Sequence, residues 1–299
     1  MRIQGSSAAG IATAAPTLLR RGRIGDAGHG GRIAFDAFQA IATRHGFPPD
    51  FPSPEAAAGL LSGLLARSDV HAVVAERNGE VVGSNFLWEG DPIAAVGPIT
   101  VAPAVQDSST GRRLMQAVLA RASERKFAGV RLVQAAYHNR SLALYSKLGF
   151  VVREPLSLMQ GPVPEVTRTD RIVRLAAISD LQACIPLAER LLGHSRGKEL
   201  ERAIAQRDAR VVEHKGRISG YTTGIGFIGH TVGEANDDVQ ALIGAASAIT
   251  GPGFLLPTRN ASLLRWCLMH GLTIVQPMTL MSSGEYSDPK GAYLPSILY

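Results

Sequence analysis

Apolar and polar positions along the chain follow two periods, and the switches between them mark out elements. Arg20 to Asp26 is a short strand-like stretch ending in an Asp suited to a helix N-cap. Residues 27–45 then carry Ile33, Ala34, Phe38 and Ile41 near helical spacing. GFPPDFPSP (46–54) is a Pro-rich break; Ser53 can cap, and Pro54 open, a helix running to about Arg67. His71–Glu76 and Val81–Trp88 read as strands joined by the two-residue hairpin turn Asn78-Gly79. Ile93–Val101 is apolar and β-branched, interrupted by Gly97-Pro98. Residues 109–127 return to the helical period, with Leu114, Val118, Leu119 and Ala122 on one side. Val130–Ala135 reads as a strand, Ser141–Leu148 as a short helix stopped by Gly149, and Phe150–Val152 as the start of another strand. The order predicts a mixed α/β (α+β) fold with a helix joining strands across a sheet.

Residues 161–170 (GPVPEVTRTD) read as a linker, after which the pattern restarts faintly. Arg171–Asp180 parallels Arg20–Asp26, HKGRISG (214–220) parallels RNGEVVG (77–83), and NASLLRWCLMHGL (260–272) parallels NRSLALYSKLGF (139–150). Three matches in one order predict an internal repeat. Residues 227–249 can form a strand and a helix but lack the loop chemistry of the first copy.

Composition narrows the classes. A chain of 299 residues with 45% hydrophobic and 19% charged residues suits a soluble globular protein of two domains. The net charge of +6 fits an anionic partner, but its densest group, Arg20, Arg21 and Arg23, has no interleaved aromatics, so nucleic-acid binding is not expected. No apolar run approaches the roughly 18 residues of a membrane span. Residues 1–16 are Ala-, Gly- and Ser-rich, with an apolar stretch too broken for a signal peptide, and read as a flexible extension over 1–17. Cys184 and Cys267 lack metal-ligand spacing and read as buried thiols of a cytoplasmic protein. No metal site is expected.

Two blocks carry chemistry. In VAPAVQDSSTGRRLMQAVLARA (101–122) an apolar strand runs through a small-residue loop into a helix. The unpaired N–H groups of such a helix start, with its dipole, make an anion site, and Arg112 and Arg113 add positive charge. In AAYHNRSLALYSKLGF (135–150), Asn139 and Ser141 open a helix that presents Tyr145 and ends in Gly149-Phe150. Together the blocks resemble the GNAT acetyltransferase superfamily, whose hallmarks are a Q/R-x-x-G-x-G/A loop and an N…Y-x-K-x-G-F segment. The resemblance covers residues 18–160 well and 171–299 only as a diverged, degenerate GNAT-like domain. It implies two domains, each with a mixed, mostly antiparallel central sheet flanked by helices.

Carried over, Gln106, Asp107, Ser108, Ser109, Thr110 and Gly111 match the loop, with Ser109 at a position usually held by Gly. The resemblance implies that main-chain N–H groups of about 108–113 hold the pyrophosphate of acetyl-CoA. It further implies that Ile99, Thr100, Val101 and Asn139 hold its pantetheine arm, and that Tyr145 is the general acid that protonates the departing thiolate. The alternative for Tyr145 is a packing residue. Candidate bases are Glu89, Asp91 and His138, or a chain of waters; Phe86 and Trp88 could line an acceptor pocket. Trp266 takes the place of Tyr145 in the second copy, which cannot protonate as a phenol does and would cover the acceptor side or mediate a dimer contact.

The expected activity is direct transfer of an acetyl group from acetyl-CoA to a small-molecule amine or a protein amino group in a ternary complex. A non-catalytic acyl-CoA-binding sensor or scaffold is the alternative, motivated by Ser109 and the degenerate second half.

Overall fold

The computed structural model describes residues 16–106, 108–166 and 170–298. The expected N-terminal extension lies almost wholly outside them, as does Asp107. The first half runs β1 (Leu18–Arg21), α1 (Ala27–His45), α2 (Pro54–Leu65), β2 (Val70–Arg77), β3 (Glu80–Trp88), β4 (Ile93–Val96), β5 (Thr100–Val101), α3 (Thr110–Glu124), β6 (Gly129–Ala135), α4 (Asn139–Lys147) and β7 (Val151–Gln160). These are the elements expected from the pattern, and the local chemistry explains their ends. Ser53 Oγ accepts from Ala56 N at 3.2 Å to cap α2, and Asn78 and Gly79 take positive φ in the β2–β3 turn. Gly46, in the left-handed region, ends α1.

Helices cover both faces of the sheet. On one face α3 buries Leu114, Met115, Val118 and Ala122 against Val73, Ala75 and Leu87 of β2 and β3, with Tyr145 and Phe150 in the same cluster. On the other, α1 and α2 pack over Ala72 and Phe86. The two helices meet nearly backbone to backbone. A Cβ on Gly31 of α1 would lie 2.4 Å from Ala58 Cα of α2.

The second half continues β8 (Ile172–Leu175), α5 (Leu181–Leu192), α6 (Gly197–Ala205), β9 (Arg210–His214), β10 (Arg217–Thr222), β11 (Thr231–Gly233), α7 (Asn236–Gly244), β12 (Phe254–Pro257), α8 (Ala261–Met269), β13 (Thr273–Gly284) and β14 (Ala292–Leu294). Apart from the short β5, the order of the first half recurs through β13, and it recurs in atomic detail. Arg20 reaches Glu76 through Nε at 2.7 Å and Asp26 through Nη1 at 2.9 Å. Arg174 reaches Glu213 through Nε and Asp180 through Nη1, both at 2.7 Å. The registers agree too, Leu18 opposite Glu76 and Ile172 opposite Glu213.

The sheets do not divide at the linker. A nine-stranded sheet runs β1-β2-β3-β4-β6-β13-β7-β12 with β5 on β3, and a five-stranded sheet runs β14-β11-β10-β9-β8. Thus β13 lies antiparallel between β6 and β7, pairing Met278 with Ala135 and with Leu156. The halves are interlocked: the last long strand of each pairs with that of the other. No helix among the described residues is long and apolar enough to cross a membrane.

Candidate active site

A wedge opens in the middle of the large sheet. β4 pairs in parallel with β6 from Ile93↔Gly129 to Ala95↔Arg131. Beyond Gly97-Pro98 the chain stays with β3 instead, where β5 sets Ser84 opposite Thr100 and Gly83 opposite Val101. The buried hydroxyls of Ser84 and Thr100 meet at 3.1 Å, and Trp88 Nε1 donates to Gly97 O at 3.0 Å, which fixes the departure. A cavity of about 800 Å³ passes through this wedge. Ile99, Thr100 and Val101 form one wall and Leu132 to Ala135 the other. Ser109, Thr110, Gly111, Arg112 and Tyr145 line it on the α3/α4 face, and Phe38, Asp50 and Phe51 on the α1/α2 face.

Most residues singled out from the sequence therefore converge. Gln106 lines the cavity and donates through Nε2 to Val101 O at 3.2 Å. Ser109 adopts φ 60°, a left-handed conformation natural to Gly and costly for other residues. The first intrahelical bond of α3 runs from Arg113 N to Ser109 O at 3.0 Å, so the N–H groups of Thr110, Gly111 and Arg112 precede the ladder and point out of the helix start. Three positions do not line the cavity. Ser108 Oγ instead bonds Val105 O at 2.5 Å and Thr110 Oγ1 at 2.9 Å, Arg113 Nη1 donates to Thr17 O at 2.5 Å, and Asn139 is exposed on α4. Arg140 and Lys147 of α4 supply the cations at the rim that Arg113 does not.

The titratable groups sort by burial. Desolvation pushes the Tyr145 phenol up to about 12, against a hydrogen bond with Ser141, so it stays protonated at neutral pH. His138 caps α4 by accepting from Ser141 N at 3.3 Å through Nδ1, which leaves the proton of the neutral ring on Nε2. Burial lowers its pKa. Asp50, from the Pro-rich break, is pushed up to about 6 by burial, although Gln276 Nε2 donates to its Oδ1 at 3.3 Å. Tyr137 donates to Gln276 Oε1 at 3.1 Å and stacks on Phe47 with ring centroids 4.3 Å apart. Gln134, on the same side of β6 as Leu132, is 6% exposed and lines the cavity with neither amide atom hydrogen-bonded. An orphaned buried amide costs about 1–3 kcal/mol, which a ligand's hydrogen bonds would recover. Wedge, helix start, rim cations and orphan amide together fit an extended anionic ligand with an amide-bearing arm.

Of the candidate bases, only His138 reaches this cavity. Glu89 is held by Arg121 at 2.7 Å, and Asp91 lines a second cavity of about 660 Å³ and accepts from Lys198 N at 3.1 Å. Phe86 and Trp88 do not line the cavity through the wedge either. Phe86 is buried beneath α1 and α2, and Trp88 faces the second cavity under the guanidinium of Arg67, 4.7 Å from the ring centroid. Residues two apart on a strand share a face, so both point to the α1/α2 side, but β4 and β5 separate β3 from the wedge. Sequence reading missed Asp50, Gln134, Tyr137 and Gln276; Tyr137 lies within the block 135–150 but outside its family motif, and the other three lie in neither block.

Among the described residues of the second half, the start of α7 is built differently. There Asp238 turns back to accept from Ala235 N at 2.9 Å and also binds Ser219 Oγ at 2.8 Å and Arg171 Nε at 2.7 Å. The chain's own carboxylate thus places negative charge at the start of α7, which disfavours a second anion there. Nor does Trp266 stand where Tyr145 does. Asn260 caps α8 by accepting from Leu263 N as His138 does from Ser141 N, and Leu272 N bonds Cys267 O as Phe150 N bonds Tyr145 O. The structural counterpart of Tyr145 is thus Cys267, a thiol pushed up to about 12 by burial.

Residues 37–150 match the family model described as Acetyltransferase (GNAT) family. The chain carries a GNAT domain there, and its mixed, mostly antiparallel architecture is the GNAT fold. A search of curated proteins found no match. Two solved structures resemble nearly the whole chain. One is a proposed acetyltransferase of Pyrococcus horikoshii, 17% identical, covering 95% of this chain and 92% of its own, with a TM-score of 0.68. The other is a GCN5-related N-acetyltransferase of Sphaerobacter thermophilus, 15% identical, covering 92% and 98%, with a TM-score of 0.57. At these identities the likeness is one of fold.

Proposed function

We propose that the protein is an N-acetyltransferase that moves an acetyl group from acetyl-CoA to an amine by direct attack. The observation that carries it is a cavity reaching through the sheet, with a helix start and cations on one face and a carboxylate on the other. On this reading the N–H groups of Thr110, Gly111 and Arg112 hold the pyrophosphate, and Ile99 to Val101 with Gln134 hold the pantetheine arm. Asn139 and Arg113, turned away, play no part in binding, and Asp107 lies outside the described residues. Acetyl-CoA supplies the thioester. The amine nitrogen bonds to its carbonyl carbon as the C–S bond breaks with its electron pair on sulfur. An amine that arrives as an ammonium first gives one proton to water, because only the neutral nitrogen can attack; after attack the nitrogen gives a second proton to water, Tyr145 protonates the departing sulfur, and solvent restores the phenol. The chain would be duplicated, with the half after the linker non-catalytic and serving as the far wall of the cavity. We expect it to act in the cytoplasm.

The test is thiol release from acetyl-CoA in the presence of pooled primary amines. Turnover by the wild type that falls about 100-fold in Tyr145→Phe, in line with the loss of one general acid, supports the reading. Binding without turnover in any amine pool would favour an acyl-CoA sensor or scaffold instead.

A further inference from the structure

We propose that the acceptor is a small primary amine on an uncharged apolar body, its ammonium held by Asp50. The inference rests on the acyl-transfer reading and names the substrate class of that site.

The cavity is polarised from end to end. Its cations, Arg112, Arg140 and Lys147, all come from α3 and α4. Among its described lining residues Asp50 is the single carboxylate, and it lies at the opposite end, between α1 and α2. Apart from Tyr137, whose hydroxyl is taken by Gln276, the walls on this side are largely apolar. Phe38, Phe51 and Leu60 come from the first half, and Phe227, Met278 and Ile297 from the second. Phe38 and Phe51 meet edge to face with ring centroids 5.6 Å apart, a rigid aromatic corner beside the carboxylate.

These surroundings discriminate among amines. An amino acid would bring its carboxylate to an end of the cavity that carries no cation. A polyamine would bring further ammonium groups to apolar walls with one carboxylate between them, so burial would leave charges unpaired. A monoamine with an aromatic or aliphatic body places its one charge on the one carboxylate and its carbon atoms on the aromatic corner; the ammonium then gives a proton to water, and the neutral nitrogen attacks the thioester.

Asp50 is also built to stay in place. Gln276, buried on β13, donates to Asp50 and is itself oriented by the Tyr137 hydroxyl. The second half therefore contributes both the far apolar wall and the amide that sets the acceptor-binding carboxylate. Burial raises the Asp50 pKa, and an arriving ammonium reverses that shift, so the carboxylate selects for a cation.

The test measures kcat/KM by thiol release at saturating acetyl-CoA, in the full-length protein, for 2-phenylethylamine, hexylamine, spermidine, L-phenylalanine and a neutral tetrapeptide with a free N-terminus. The expected result is a preference of at least about 100-fold for 2-phenylethylamine or hexylamine over the other three. Asp50→Asn is expected to raise KM for the amine at least 10-fold with acetyl-CoA affinity unchanged, and Asp50→Glu to recover part of it. Phe227→Ser is expected to weaken the apolar amines selectively. Preference for spermidine, L-phenylalanine or the peptide overturns the acceptor class and leaves acyl transfer standing. So does the absence of turnover with either apolar amine while acetyl-CoA still binds. Absence of both acetyl-CoA binding and turnover with any amine overturns the acyl-transfer reading beneath it.

Discussion

Ser109 concentrates the tension between sequence and geometry in one residue. Its φ of 60° would suit Gly, yet it starts the helix that we assign to the pyrophosphate. Left-handed backbone costs an L-residue about 1–2 kcal/mol, while Gly costs about 0.5–1 kcal/mol more chain entropy on folding. The two nearly cancel, so Ser109→Gly is expected to leave stability within about 1 kcal/mol. Ser109→Val, β-branched at positive φ, is expected to lose more than that, measured by urea denaturation. Asp50 gives a second test at this scale. Its folded pKa of about 6 lies above the ordinary carboxylate value, so ionisation opposes folding as pH rises through that window. Burial sets this rise, and the hydrogen bond from Gln276, itself held by the Tyr137 hydroxyl, works against it. Asp50→Asn is therefore expected to raise the melting temperature at pH 7.5 and leave it nearly unchanged at pH 4. Equal effects at both would contradict a carboxylate strained by burial. In the reaction itself, kcat/KM for the amine is expected to fall as Asp50 protonates below pH about 6. No alkaline loss from Tyr145 is expected before its pKa of about 12.

At the scale of elements, the helices that frame the site were legible because each repeats its apolar face on period. Leu114, Val118 and Ala122 place α3, and Ser53-Pro54 starts α2 where the pattern says it should. What alternation could not supply was the pairing of distant strands. β13 carries Pro277 and a register shift between Ile274 and Gln276, so it shows no clean period of two, and its place between β6 and β7 is set by contacts more than a hundred residues apart. Asp50 was invisible for a similar reason: a Pro-rich break reads as a surface loop, and nothing local says that its carboxylate is covered. The recurring order of elements was visible, but the offset at α8 was not, because Asn260 corresponds to the cap His138 and not to Asn139. The α1–α2 contact offers a direct test of packing against propensity. Ala exceeds Gly in helix propensity by about 1 kcal/mol, yet a Cβ at Gly31 would meet the backbone of α2. Gly31→Ala is expected to destabilise by about 1–3 kcal/mol, the usual cost of overpacking, and a rise in stability would mean that α2 yields freely.

For the whole molecule, the interlocked sheet makes the halves interdependent. The same strand exchange that inserts β13 between β6 and β7 brings Gln276 to Asp50 and Phe227 and Ile297 to the cavity wall. A fragment ending at residue 166 would leave β6 and β7 with unpaired edges and the cavity without its far wall. It is expected to aggregate or to lose acetyl-CoA binding. A monomeric fragment with native affinity would show the second half to be dispensable. The central claim concerns the wedge itself, and calorimetric titration of the full-length protein with acetyl-CoA tests it most directly. Gly111 has room for a side chain, with its nearest neighbours 3.7 Å from a built Cβ, so Gly111→Asp adds a negative charge at the helix start without breaking the fold. The account predicts saturable one-to-one binding by the wild type that is lost in Gly111→Asp. Absence of saturable binding by the folded wild type, or equal binding by both proteins, would contradict it.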